Sequence, residues 1–316
     1  MDRRVTVFGL GGTISMSATA GGGGAVPALT PADLVAAVPG LADSGIAVDV
    51  VDVRQVAGAS VTFADVETLT ELIAARLADG VDGVVVTQGT DTIEETSYLL
   101  DIGHAGGSPI VVTGAMRNPT LAGPDGPANL LAAIRVAASP AAEGLGALVV
   151  FADEIHAARR VRKTHTTDPG TFRSLDGGPL GYVVEGEVRV LNRLAHRPVV
   201  PAGGRSARVA VVTLMFDDDG VLFDGLADRV DGVVVAALGA GHVPTALIEP
   251  LTELAGRLPV VLASRTGAGS VLARTYGFPG SERDMLARGL VSAGYLAPPK
   301  ARLLLGRLLG AGADQA

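Results

Sequence analysis

Cysteine and tryptophan are both missing from the 316 residues, and aromatic side chains make up only 3%. Without cysteine there is no disulfide, no thiolate nucleophile and no thiolate metal site. The five histidines, at 104, 156, 165, 196 and 242, show no HExxH or comparable ligand spacing, so no metal is expected. Long basic runs are also lacking. Net charge is −8 and the pI about 5.1, which offers little to a phosphate backbone, and nucleic-acid binding is not expected. A membrane span takes about 20 mainly apolar residues. Residues 5–32 are uncharged, but Gly, Ser and Thr break them too often to form one. Segment 1–20 has two arginines and an Ala-x-Ala at 18–20. Its apolar part, Val5–Leu10, falls short of the roughly 7–15 residues of a secretory core, so a cytoplasmic location is expected.

What is present is apolar and small. Hydrophobic residues reach 48%, charged residues 18%, and Ala and Val dominate, a balance that suits close-packed α/β layers. Short apolar runs alternate with helical patterns, as in parallel βαβ units. Val5–Gly9, Ile46–Val53, Gly83–Thr87, Pro109–Thr113 and Ala147–Phe151 read as strands, and Leu180–Leu191 as a hairpin. Thr30-Pro31 opens one helix; Thr62 with Asp65 forms a capping box for another, reaching about Ala78. A third helix is expected over Asp91–Leu100, while the glycine-rich Ser17–Pro27 suits a lid or mobile loop. Asn192–Ser206, with two prolines and two glycines, is the best linker. Beyond it Arg208–Thr213, Gly232–Ala236 and Pro259–Ala263 read as strands, and Thr245–Leu254, Ser281–Arg288 and Pro299–Leu309 as helices. The expected organisation is an α/β protein with a larger parallel-sheet domain over 1–191, a linker over 192–207 and a smaller α/β domain over 208–316.

Three segments place hydroxyl or charged groups near strand ends. The first, Gly9-Leu10-Gly11-Gly12-Thr13-Ile14, fails as a dinucleotide fingerprint because Ile14 stands where a third glycine is needed. The second, Thr87-Gln88-Gly89-Thr90-Asp91-Thr92, sets a hydroxyl beside a carboxylate at the carboxyl end of a buried strand, where ligands bind in open α/β sheets. Read blandly, it is a turn with acids favoured at a helix start. The third, Arg159 to Asp168, contains Lys163; alone it is a solvated charge run, but a lysine near Thr90 would help deprotonate a hydroxyl or a water.

VFGLGGTIS, VVTQGTDTIEET, IVVTGAMRNP, VRKTHTTDPGTFRS, GPLGY and PPKARLLL occur in that order over nearly the whole chain. Together they resemble the bacterial L-asparaginase/glutaminase family. The resemblance implies an N-terminal α/β domain followed by a smaller one, and a cofactor-independent amidohydrolase acting on L-asparagine. It also implies a homo-oligomer, dimer or tetramer, with sites near subunit interfaces. By the same resemblance Thr13 is the nucleophile, and Thr90, Lys163 and Asp91 form a second catalytic group. Asp91 also holds the substrate's α-ammonium, Ser60 helps hold its α-carboxylate, and the Gly12 and Gly89 turns line the pocket with backbone N–H groups.

Two features depart from the family's pattern. Residues 14–30 contain no tyrosine, although the family carries one in the loop after its first threonine. Many relatives have asparagine where this chain has His242, a position that the resemblance carries to a neighbouring subunit's site. Glutamine as main substrate and a non-catalytic amino-acid binder are the alternatives. An amidotransferase subunit is disfavoured because no extra domain precedes the first strand.

Overall fold

The computed structural model describes residues 3–12, 14, 16–17, 26–27, 29–200 and 207–312. The chain divides into two compact units, Met1–Val199 and Val200–Ala316. No described helix is long and apolar enough to cross a membrane.

The first unit is built on one eight-stranded sheet. Its strands are β1 (Arg3–Gly9), β2 (Ile46–Asp52), β3 (Gly83–Thr87), β4 (Ile110–Thr113), β5 (Ala147–Phe151), β6 (Glu154–Ala157), β7 (Gly181–Val184) and β8 (Glu187–Val190). Their order is β8-β7-β6-β5-β4-β3-β1-β2. The strands β1 to β5 run parallel, as expected, whereas β6, β7 and β8 each pair antiparallel with their neighbours, so the sheet is mixed. The reversal is made at Ala152-Asp153, where φ is +48° and +61°. Both central residues of this two-residue hairpin are left-handed, and neither is the glycine that usually marks such a turn. Glu185-Gly186 repeats the device between β7 and β8, within the segment expected to be a hairpin.

Burial explains the strand order. Every residue of β3 and β4 is buried, as in a strand covered on both faces. By contrast, β2 has no fully buried residue, as suits an edge strand. Helices α1 (Pro31–Ala36) and α4 (Gly126–Ala138) pack together, and α2 (Phe63–Ala78) packs with α3 (Ile93–Gly103). Both expected N-caps form. The Thr30 and Thr62 hydroxyls accept the N–H of Asp33 and Asp65, whose carboxylates accept the cap N–H in return. No amphipathic stripe betrayed α4 in the sequence, because buried residues run almost unbroken over Ala132–Ala138 apart from Arg135.

The first half of the expected linker is fastened to this unit, and its residues 201–206 lie outside the described ones. The Arg197 guanidinium donates to the carbonyls of Asp101 and His104 at 3.2 and 2.6 Å, closing the end of α3, and stands 3.5 Å from the Asp101 carboxylate. Burial pushes Asp101 up to about 6, although the Ala147 N–H and Arg197 favour its ionised form. A carboxyl whose folded-state value lies above its unfolded one contributes stability at low pH and loses it as pH rises through about 6. Arg197→Met is therefore expected to cost about 3–5 kcal/mol at pH 8, where it strands a buried charge. The cost should be clearly smaller at pH 4.5, where Asp101 is neutral and only the carbonyl contacts are lost. Urea unfolding at the two pH values checks this; equal losses would mean that Asp101 is not the charge Arg197 compensates.

The second unit carries a parallel sheet in the order β9 (Val209–Thr213), β10 (Gly232–Ala237), β11 (Val260–Ser264) and β12 (Val291–Ser292). Helix α5 (Ile248–Ala255) packs on β11, α6 (Glu282–Ala287) precedes β12, and α7 (Pro298–Gly310) packs on β9 and β10. Val233, Val235, Leu251, Leu262 and Met285 anchor its core.

Candidate active site

The first unit has a topological switch point. From β1 the sheet grows to β2 on one side and to β3 on the other, which opens a crevice at their carboxyl ends. Three turns meet there. The Leu10 N–H donates to the Thr87 carbonyl at 2.9 Å, and the Val56 N–H to the Leu10 carbonyl at 3.2 Å, tying the turn after β1 to those after β3 and β2. At their centre three glycines are in backbone contact. A methyl group on Gly12 (φ +92°) would lie 2.0 Å from the Gly89 nitrogen, and one on Gly89 would lie 2.6 Å from the Gly58 nitrogen. Only residues without a β-carbon allow this approach. Gly58 therefore belongs to the site beside Gly12 and Gly89. Gly114, after β4, joins from the other side, where an added methyl would lie 2.5 Å from the Gln88 carbonyl oxygen. Neither Gly58 nor Gly114 stands out in the sequence, where 43 glycines give no hint of which approach one another.

Thr90 opens a short 3-10 turn, Thr90–Thr92, that leads into α3, and is buried. Lys163 Nζ donates to Thr90 Oγ1 at 2.8 Å and to Asp91 Oδ1 at 3.1 Å. The Lys163 side chain is 18% exposed and that of Asp91 59%. One end of this group is thus shielded, and the other is open to receive a cation. The lysine comes from 73 residues away and is held by a hairpin, Arg162–Lys163 pairing antiparallel with Phe172–Arg173. The Thr171 carbonyl accepts from the Thr164 N–H and hydroxyl, and its hydroxyl accepts from the His165 N–H while donating to the His165 carbonyl. Phe172 stacks on Phe151 at 4.6 Å. Just beyond it, the Ser174 hydroxyl lies 3.0 Å from Nδ1 of the fully buried His156, whose Nε2 is 3.2 Å from Glu154. These contacts fix where the lysine stem begins.

Of the sequence-derived site residues, the structure gathers Gly12, Gly89, Thr90, Asp91 and Lys163. Ser60 is exposed at the end of the 3-10 turn Gly58–Ser60, whose Gly58 touches Gly89. Thr13 lies outside the described residues, as do residues 18–25 of the expected lid; the flanking Met16–Ser17 and Val26–Pro27 pair antiparallel. Among the described residues no group of three or more His, Asp or Glu side chains is gathered as metal ligands would be.

His242 belongs to the second unit. It closes the turn Leu238–His242, ringed by Tyr276 at 4.9 Å and Phe278 at 5.0 Å. Its Nε2 is 3.3 Å from the fully buried Glu282 carboxylate, which also accepts the N–H of Thr275 and Tyr276. Burial alone would raise the Glu282 carboxyl, but the backbone donors Tyr276, Glu282 and Thr275, together with His242, hold it below its usual value. The Glu282 carboxylate thus faces the His242 imidazole within this unit.

Comparison with known proteins agrees with the fold. The family described as Asparaginase, N-terminal matches residues 4–196, and the Glutaminase/Asparaginase C-terminal domain matches residues 208–316. A probable L-asparaginase of Deinococcus radiodurans is 37% identical, over 99% of this chain and 94% of its own length. L-asparaginase 2 of Escherichia coli strain K12 is 32% identical, over 95% of this chain and 87% of its own. A crystal structure of a probable cytoplasmic L-asparaginase from Campylobacter jejuni superposes with a TM-score of 0.87 at 32% identity, covering 99% of this chain and 96% of that one. With both family domains matched in order along the chain, and a fold shared with that structure, the chain belongs to the asparaginase/glutaminase family.

Proposed function

We propose that the chain hydrolyses the side-chain amide of L-asparagine to aspartate and ammonia at the carboxyl ends of β1 and β3, without a cofactor. The observation that carries this is Lys163 Nζ set 2.8 Å from the Thr90 hydroxyl and 3.1 Å from Asp91 at the switch point. Charge and hydroxyl are held together there, beside an exposed carboxylate. Asp91 binds the α-ammonium and Ser60 the α-carboxylate, which lays the side-chain amide across the glycine turns. Thr13 attacks the amide carbon, and backbone N–H groups of the Gly12 and Gly89 turns stabilise the oxyanion. The tetrahedral adduct collapses with loss of ammonia to an ester on Thr13. Water, deprotonated with help from Thr90 and Lys163, then hydrolyses the ester and restores the hydroxyl. With no tyrosine in residues 14–30, activation of Thr13 falls to the lysine–threonine pair or to a water. The homo-oligomer, the reach of His242 toward a neighbouring subunit and the cytoplasmic location belong to this proposal.

Glutamine is the second substrate to test, since the matched C-terminal family is described as glutaminase as well as asparaginase. One methylene separates the two amides, worth about 1–3 kcal/mol in a pocket. Ammonia release from L-asparagine and L-glutamine by the purified protein is the test. Turnover of asparagine with the higher kcat/KM is expected. Folded protein that saturates with either amide and releases no ammonia would be a binder, and the proposal would fall.

A further inference from the structure

We propose that Thr92 is a positioning residue that sets the spacing between the part of the site that holds the substrate's α-carboxylate and the part that does the chemistry. This rests on the functional reading above, in which Ser60 meets the α-carboxylate. The Gly58–Ser60 turn follows β2, the least buried strand of the parallel set and one edge of the sheet. Thr90 and Asp91 follow β3, which is buried throughout. An edge turn would drift relative to an interior one unless something joined them. Thr92 supplies that join: its hydroxyl donates to the Gly58 carbonyl at 2.8 Å.

The hydroxyl is itself aimed. Gln88 Nε2 donates to Thr92 Oγ1 at 3.2 Å and lies 3.4 Å from the Gly89 carbonyl oxygen. The Thr92 oxygen accepts from the amide while its proton is directed at the Gly58 carbonyl. Turning the amide over would set Gln88 Oε1 against the Gly89 carbonyl, so the network admits one orientation. Gln88 is fully buried, and among the described residues its Oε1 meets no hydrogen-bond partner. The contribution of this amide to the network is made from its Nε2 end. The chain Gln88–Thr92–Gly58 thus links the turns after β3 and β2 through side chains, beside the backbone contact of Gly89 with Gly58. The proposed substrate has its carboxylate, ammonium and amide at set separations. Loosening this link therefore weakens binding before it weakens chemistry.

The experiment is steady-state ammonia release from L-asparagine by wild type, Thr92→Val, Thr92→Ser, Ser60→Ala and the Thr92→Val/Ser60→Ala double variant. Thr92→Val is expected to raise KM about ten- to hundredfold, since small misplacements have large effects. Its kcat should stay within about threefold, the pattern of lost uniform binding. Thr92→Ser, which keeps the hydroxyl, restores KM to near the wild-type value. The double variant should be little worse than the worse of its two singles, because both act on the same contact. An unchanged KM in Thr92→Val, a loss confined to kcat, no rescue by Thr92→Ser, or effects that multiply in the double variant would overturn the inference. If Thr92→Val does not fold, Gln88→Met, which frees the hydroxyl without removing it, must still raise KM, and an unchanged KM there overturns it equally. The functional reading is judged apart from this: wild type that releases no ammonia refutes that reading, whereas active wild type with a raised KM in Ser60→Ala upholds it whatever Thr92 does.

Discussion

Lys163→Met is expected to lower kcat on L-asparagine about 10²–10⁴-fold, the range for removing a general acid–base group, while KM moves by a few fold at most. Methionine keeps an unbranched side chain of similar length, so the packing of the stem survives. The hairpin that carries it is held by backbone pairing and by Thr164, Thr171 and Phe172, none of which needs the ammonium. What disappears is the donor on Thr90 Oγ1 and the charge beside Asp91. Asp91 is 59% exposed and stays hydrated, so its proposed contact with the substrate's ammonium is expected to persist. Ammonia-release kinetics decide the matter, with Thr13→Ala as the comparison expected to fall to background. A loss below tenfold in Lys163→Met would remove the lysine from the chemistry, and turnover retained by Thr13→Ala would remove the threonine as nucleophile.

The second large effect concerns the glycine contact. Gly12→Ala is expected to destabilise the protein by about 3–5 kcal/mol and to abolish activity, combining left-handed strain with overpacking. The two costs separate experimentally. Gly45 also has positive φ, +68°, but an added methyl there meets nothing within 4 Å. Gly45→Ala therefore reports the conformational cost alone, about 1–2 kcal/mol. The difference between the two variants in urea unfolding is the cost of pushing the turn after β1 away from that after β3. If Gly12→Ala unfolds no more readily than Gly45→Ala, the three turns are not in backbone contact.

Much of the fold is legible in the chain because its signals are local. Runs such as Gly83–Thr87 and Gly232–Ala236 are strands, since a stretch of small β-branched residues buried on both faces has few other stable states. Thr62 and Asp65 announce α2 because a capping box is completed within four residues. The hairpin β7–β8 was legible, but the reversal from β5 to β6 was not. That reversal, at Ala152-Asp153, uses two left-handed residues that carry no turn signature, and their strain is offset by tertiary contacts such as the Ala152 N–H to Asn129.

The candidate site divides in the same way. Residue identities near Thr90, Asp91 and Lys163 pointed to a hydroxyl, a carboxylate and a proton acceptor, because reactive side chains are few and their chemistry is intrinsic to them. That Lys163 meets Thr90 across 73 residues, that Gly58 and Gly114 matter among 43 glycines, and that Gln88 and Thr92 join two turns were decided only by the tertiary structure. The same holds for Glu282, which opens α6 and whose carboxylate also turns inward to His242 and two backbone N–H groups. The sequence by itself determined which elements form and which chemistry is on hand. Distances between groups far apart in the chain depend on sheet order and on which backbones can touch, and these are properties of packing rather than of any local pattern of residues.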